Sequence, residues 1–155
     1  MNVLLLEDRG DASYFLNEHL EQKGHKVFPA QNVSRAKTFW KTKDIDCIIA
    51  DLNMAPLGLS ASEVEQTENG LFTGWVWLKN YVFPGNEAMK RRTIILTAYI
   101  RDFRARLKQE GVKPEDIGIQ IVAKESNSGF GKEQTESVLV YVEEIAKQLE
   151  SYDEG

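Results

Sequence analysis

Cys47-Ile48-Ile49-Ala50-Asp51-Leu52-Asn53-Met54 is the stretch on which the fold turns. Four apolar residues run without alternation into a carboxylate. A continuous apolar run suits a strand covered on both faces, as in a parallel sheet, rather than one with a wet face. Working outward, residues 3–6 and 93–96 repeat the pattern, and residues 117–122 form a fourth run. A weaker stretch, Lys26-Val27-Phe28-Pro29-Ala30, supplies a further strand, its proline better suited to a strand end than a strand centre. Helical periodicity fills the gaps. Residues 12–23 place Phe15, Leu16, His19 and Leu20 on one side, and Gly24 follows as a stop signal. Residues 34–43 carry Ala36, Phe39 and Trp40, with Asn32 or Ser34 as the cap. Residues 74–83 carry Trp75, Leu78 and Val82 before Pro84, while Ile100, Phe103 and Leu107 precede Gly111. Val138, Val142, Ile145 and Leu149 form the clearest stripe. Strand and helix thus alternate five times, which predicts an α/β domain: a doubly wound, five-stranded parallel sheet with right-handed crossovers.

A chain of 155 residues fits one such domain, expected over residues 1–150 with a polar, frayed tail at 151–155. Residues 57–73 are too long for a strand-to-helix connection, where two to six residues are usual. They contain Glu63, Glu65 and Glu68 and read as an insertion, because the helical pattern resumes at Gly74. A net charge of −5 offers no basic stripe, so direct nucleic-acid binding is not expected. No apolar run approaches the roughly 20 residues that span a bilayer, and the opening apolar run is too short for a secretory signal. The single cysteine, Cys47, rules out an intramolecular disulfide and reads as a small buried hydrophobe. These features together suggest a soluble cytoplasmic protein. Trp75 and Trp77 lie two apart, so one is expected to pack and the other to cover surface. Lys90-Arg91-Arg92 reads as a solvated loop, and His19 and His25 have no metal-ligand spacing.

Ligands of open parallel sheets bind beyond the carboxyl ends of the strands. The first strand ends in Glu7-Asp8, the third in Asp51, the fourth in Thr97 and the fifth in Lys124. Taken singly each is ordinary: acids suit a helix start, aspartate a turn, and lysine a surface. Together they bring three carboxylates, a hydroxyl and an ammonium to one edge. Clustered carboxylates repel and hold their protons unless a cation is present. Mg²⁺, a hard ion taking oxygen ligands, answers that need. One carboxylate can then act as nucleophile toward phosphorus and form an aspartyl-phosphate, with lysine and threonine contacting the transferred group.

Leu4-Leu5-Leu6-Glu7-Asp8, Ile48 to Met54, Ile94-Ile95-Leu96-Thr97-Ala98 and Val122-Ala123-Lys124 resemble, in order, the motifs of a response-regulator receiver domain of two-component signalling. The resemblance covers nearly the whole chain apart from the insertion. It implies a flavodoxin-like (CheY-like) strand order 2-1-3-4-5. Asp51 is then the phospho-acceptor, supplied by a histidine kinase or a phosphotransfer protein. Glu7 and Asp8 hold Mg²⁺ with Asp51, Asp8 directly and Glu7 through water, and the backbone carbonyl of Asn53 completes the metal site. Thr97 is the switch hydroxyl and Lys124 pairs with the phosphoryl group. Phosphorylation is expected to change the face made by the fourth helix, fifth strand and fifth helix, docking a downstream partner or a second copy.

Four features depart from the family pattern. Glu125 replaces the proline after Lys124, Ile121 stands where an aromatic is usual, Ala55-Pro56 displaces a proline by one, and residues 57–73 are inserted. The insertion, expected on the site's face, reads as a lid or partner-docking element, and Tyr99 as a shield for the acyl phosphate. No output domain is expected after the last helix, so the chain reads as a stand-alone switch or phosphorelay carrier and not as an enzyme. Two alternatives remain: a phosphorylation-independent interaction module, and a Mg²⁺-dependent phosphatase or nuclease. The phosphatase wants a second acid two residues after the nucleophile, where this chain has Asn53.

Overall fold

The computed structural model describes residues 1–124 and 132–153. In chain order they form β1 (Asn2–Leu6), α1 (Gly10–Gln22), β2 (Lys26–Ala30), α2 (Val33–Thr42), β3 (Cys47–Asp51), α3 (Ala61–Gln66) and α4 (Thr73–Trp77). A π turn, Leu78–Val82, and a 3-10 turn, Glu87–Arg92, lead into β4 (Thr93–Thr97). Then come α5 (Ile100–Gln109), α6 (Pro114–Ile117), β5 (Gln120–Ala123) and α7 (Lys132–Asp153). All four strand pairs are parallel, as the apolar runs predict, in the order β2-β1-β3-β4-β5 that the resemblance implies.

The absence of polar alternation in the strands now has its reason. Successive side chains point to opposite faces of the sheet, and here each face meets helices. Leu4, Leu6, Ile48, Ala50 and Ile95 join α4 and α5 residues such as Trp75, Phe103 and Leu107. Val3, Leu5, Ile49, Ile94 and Leu96 join Leu16 and Leu20 of α1 and Val138, Val142 and Ile145 of α7. Cys47 belongs to the second cluster, and burial pushes its thiol up to about 12, so it stays protonated. Pro29 sits on β2, an edge strand, one residue before its end. There its missing N–H disturbs least. Asn32 caps α2, its side chain accepting from the Arg35 N–H at 2.9 Å, an arrangement worth about 1 kcal/mol.

Three expectations need correction. Residues 117–122 are not one strand: Pro114 starts the short helix α6 and Gly118, at φ 83°, closes it, so β5 begins only at Gln120. Trp75 and Trp77 are both buried. All five residues of α4 are enclosed, as expected where a helix is apolar all round. Lys90-Arg91-Arg92 is not a loop but the end of the 3-10 turn, where Lys90 pairs with Glu87. The polar residues Ser151 to Asp153 continue α7, and residues 154 and 155 lie outside the described residues.

Candidate functional site

β1 and β3 are adjacent, so their carboxyl ends set Glu7, Asp8 and Asp51 side by side. Carboxylate oxygens of the three lie within 4.8 Å of one another. β5 lies two strands away from β3, yet Lys124 closes the gap. Its Nζ stands 3.3 Å from Glu7 Oε2 and 3.3 Å from Asp51 Oδ2. The Lys124 backbone N–H donates to the Thr97 carbonyl at 2.9 Å, which extends the β4–β5 ladder to the site. Asp51 Oδ1 accepts from the Leu52 N–H at 2.8 Å. Gly74 makes this arrangement possible from behind, because a Cβ there would collide with the Asp51 carbonyl.

A polar cavity of about 330 Å³ opens above these groups, walled by Asp8, Arg9, Asp51, Asn53, Met54, Ala55, Asn69 and Lys124. Asp8 is exposed, whereas Asp51 and Lys124 are each only 5% exposed. Glu7 is completely buried beneath them, its Oε1 accepting from the Arg9 N–H at 3.2 Å. Burial, reinforced by the neighbouring Asp51 charge, pushes Glu7 up to about 8 despite Lys124. Burial likewise holds the Asp51 carboxyl above its ordinary value, with Lys124 opposing. One ammonium does not compensate three acids.

That deficit is the test of whether Mg²⁺ suits the residues present. The donors are hard oxygens, clustered, and short of positive charge, so they fit such an ion. Asp8, Asp51 and Asn53 border the cavity, while Glu7 has both oxygens turned to Lys124 and the Arg9 N–H. Thr97, buried at the end of β4, accepts the Tyr99 N–H on its hydroxyl at 3.0 Å. Tyr99 stands at the N-cap position of α5 and is not part of the cavity wall. Ile121 is half-buried and packs against the core. Glu125, the replacement for the usual proline, lies outside the described residues.

The insertion reaches the site and is pinned along its length. Its start hydrogen-bonds α2, with the Ser34 N–H donating to Leu57 O at 3.2 Å. Helix α3 carries a capping box between Ser60 and Glu63, and Glu63 also accepts from Tyr81 Oη at 2.7 Å. Its end joins the cavity wall: the Met54 N–H donates to Gly70 O at 3.1 Å, and Thr73 Oγ1 donates to Met54 O at 2.7 Å. Asn69 is therefore a wall residue that strand-end reasoning missed. The signal available was the Asn69-Gly70 pair, a common marker of left-handed backbone.

No protein-family model matches the sequence, and no curated protein matches it. Solved structures do match the fold. The receiver domain of the Francisella response regulator 1452 aligns over 96% of this chain and 98% of its own, with a TM-score of 0.64 and 18% identity. A response-regulator receiver domain protein from Clostridium thermocellum gives 0.63 and 17%, covering 97% and 98%. The non-phosphorylated HemR receiver domain from Leptospira biflexa gives 0.61 and 19%, covering 93% and 92%. The chain thus has the fold of a response-regulator receiver domain. Among the described residues no helix is long and apolar enough to cross a membrane.

Proposed function

We propose that this chain is a phosphoacceptor signalling switch, read as one receiver unit over residues 1–150 with an insertion at 57–73. The observation that carries the reading is Lys124 bridging Glu7 and Asp51 at the floor of a polar cavity. A buried carboxylate open to a polar cavity, with an ammonium at 3.3 Å, suits nucleophilic attack on phosphorus. Asp51 supplies the attacking oxygen, and the donor, a phosphohistidine of a kinase or phosphotransfer protein, leaves with the electron pair of the broken bond. Lys124 turns from the Asp51 carboxylate to the transferred phosphoryl oxygens, and Glu7 orients it from below. Asp8, Asp51 and the Asn53 carbonyl hold Mg²⁺, which when bound offsets the negative charge of the phosphoryl group. Thr97 serves as the switch hydroxyl, releasing the Tyr99 N–H and so freeing the start of α5 to shift. The consequence is altered partner docking or self-association on the face of α5, β5 and α7. The protein acts in the cytoplasm, and its own phosphorylation and dephosphorylation are its only chemistry.

The deciding experiment is intact-protein mass after incubation with acetyl phosphate, with and without Mg²⁺. A Mg²⁺-dependent gain of one phosphoryl group, absent in Asp51→Asn, supports the switch. A folded protein that gains nothing refutes it. One observation favours a second reading, an interaction module free of phosphate control: Ile121, half-buried against the core, has no ring to move with Thr97. A partner bound equally by wild type and Asp51→Asn would establish that module.

A further inference from the structure

Glu68, Asn69 and Gly70 are three consecutive residues with φ of 52°, 61° and 87°. Glycine takes left-handed backbone freely and asparagine visits it readily, but a glutamate holds it only where the surroundings over-determine it. Here they do. From α5, Arg106 Nη1 donates to Glu68 Oε2 at 2.8 Å while its guanidinium lies over the Phe72 ring. Within the turn, Thr67 Oγ1 accepts from the Gly70 N–H at 3.1 Å. On the other flank Gly70 is held by the Met54 N–H, and a Cβ at Gly70 would sit 2.8 Å from the Met54 carbonyl. This clamped turn carries Asn69 to the wall of the cavity that holds Asp51 and Lys124. A carboxamide offers two N–H donors without net charge. Beside the carboxylates of Asp8 and Asp51, a neutral donor can meet an anionic oxygen without adding repulsion.

We propose that Asn69 is a further ligand of the phosphoryl group, donating a hydrogen bond to one of its oxygens during transfer to Asp51 and afterwards. Glu68 and Arg106 are positioning residues that hold the turn. The proposal rests on the reading of Asp51 as phosphoacceptor. With acetyl phosphate as donor, an Asp51 oxygen forms the new bond to phosphorus. The bond from phosphorus to the acetyl oxygen breaks with its electron pair, and acetate leaves. Asn69 gains and loses no proton.

The test uses the full chain with Mg²⁺ and three readouts: the rate of phosphoryl gain from acetyl phosphate by mass, calorimetric binding of beryllofluoride as a phosphoryl mimic, and the thermal midpoint. Asn69→Gly keeps the left-handed backbone at lower cost and removes only the amide. It should melt at or above the wild-type temperature, yet lose roughly tenfold in both rate and beryllofluoride affinity, the usual scale for a hydrogen bond to a charged group. Asn69→Asp, of the same shape but the wrong charge, should lose more. If either variant takes up phosphoryl and binds beryllofluoride at wild-type strength, the Asn69 inference is overturned and the Asp51 reading stands. If wild type itself neither gains phosphoryl nor binds beryllofluoride, both fall together.

Discussion

Glu7 and Glu110 each sit in a network of partly or wholly buried charge, yet their protons are pulled in opposite directions. Glu7 is pushed up to about 8, by burial first and then by Asp51, with Lys124 insufficient to reverse it. Glu110, at the end of α5, also meets burial, but it is held below its ordinary value. Lys79 at 2.9 Å, Arg106 and the Trp75 indole N–H at 3.2 Å all donate to it. The contrast lies in the count of partners. Around Lys124 three acids share one ammonium; around Glu110 two cations and an indole serve it, with Glu68 taking part of Arg106. A satisfied carboxylate fastens structure, here tying α4, the π turn and α5 to the insertion. An under-compensated cluster is a standing demand for a cation, and that is where ligand chemistry belongs.

The contrast can be broken most forcefully at Lys124. Lys124→Ala leaves two buried acids facing each other and should cost about 3 kcal/mol in urea unfolding without Mg²⁺ at pH 8. The loss should shrink toward pH 5, where Glu7, pushed up to about 8, holds its proton. An equal loss at both values would mean that lysine supplies packing and not charge. Next in size, Glu110→Ala strips the acceptor from the Trp75 indole and from two cations, and should cost about 2 kcal/mol in the same assay.

The pH dependence sharpens the comparison further. In the presence of EDTA, the folded state holds a proton on Glu7 between its ordinary 4.5 and about 8 that the unfolded chain has released. Glu7 therefore makes stability fall as pH rises across that window. Glu7→Gln should flatten this slope and raise the melting temperature at pH 8. Glu110 has the opposite sign: its folded form releases the proton first, so its contribution is present above 4.5 and lost as pH falls. Glu110→Gln should flatten only the acid limb, and matching slopes in the two variants would remove the distinction drawn here. The smallest effect should come from Mg²⁺ itself. A millimolar addition at pH 7.5 should raise the wild-type melting temperature by a few degrees through binding to the native state. Asp8→Asn should lose that gain and Glu110→Gln should keep it.

How much of this was legible beforehand depended on how local each signal was. Glu7, Asp8, Asp51, Thr97 and Lys124 end apolar runs, and parallel strands must deliver their ends to one edge, so their convergence could be read residue by residue. The start of β5 could not, because Ile117 and Ile119 look alike as hydrophobes and only the Pro114 and Gly118 turn chemistry separates them. Trp75 and Trp77 misled for another reason. Two residues apart on a helix means different faces, and with both buried, α4 must be covered on more than one side.

By itself, the sequence determined the alternation of strand and helix, the strand order implied by its family resemblance, and the set of charged residues at the carboxyl edge. The alternation and the edge residues follow from covalent order and side-chain period, which act over a few residues, whereas the strand order came from the resemblance alone. Only the tertiary structure decided that Glu7 lies under the cavity instead of lining it, that Lys124 bridges two acids, and that the insertion is pinned with Asn69 on the cavity wall. Burial, charge balance and the clamping of a left-handed turn depend on groups far apart in the chain. Glu7 and Lys124 are 117 residues apart, and Glu68 and Arg106 are 38 apart. Such energies exist only once folding has brought the partners within reach.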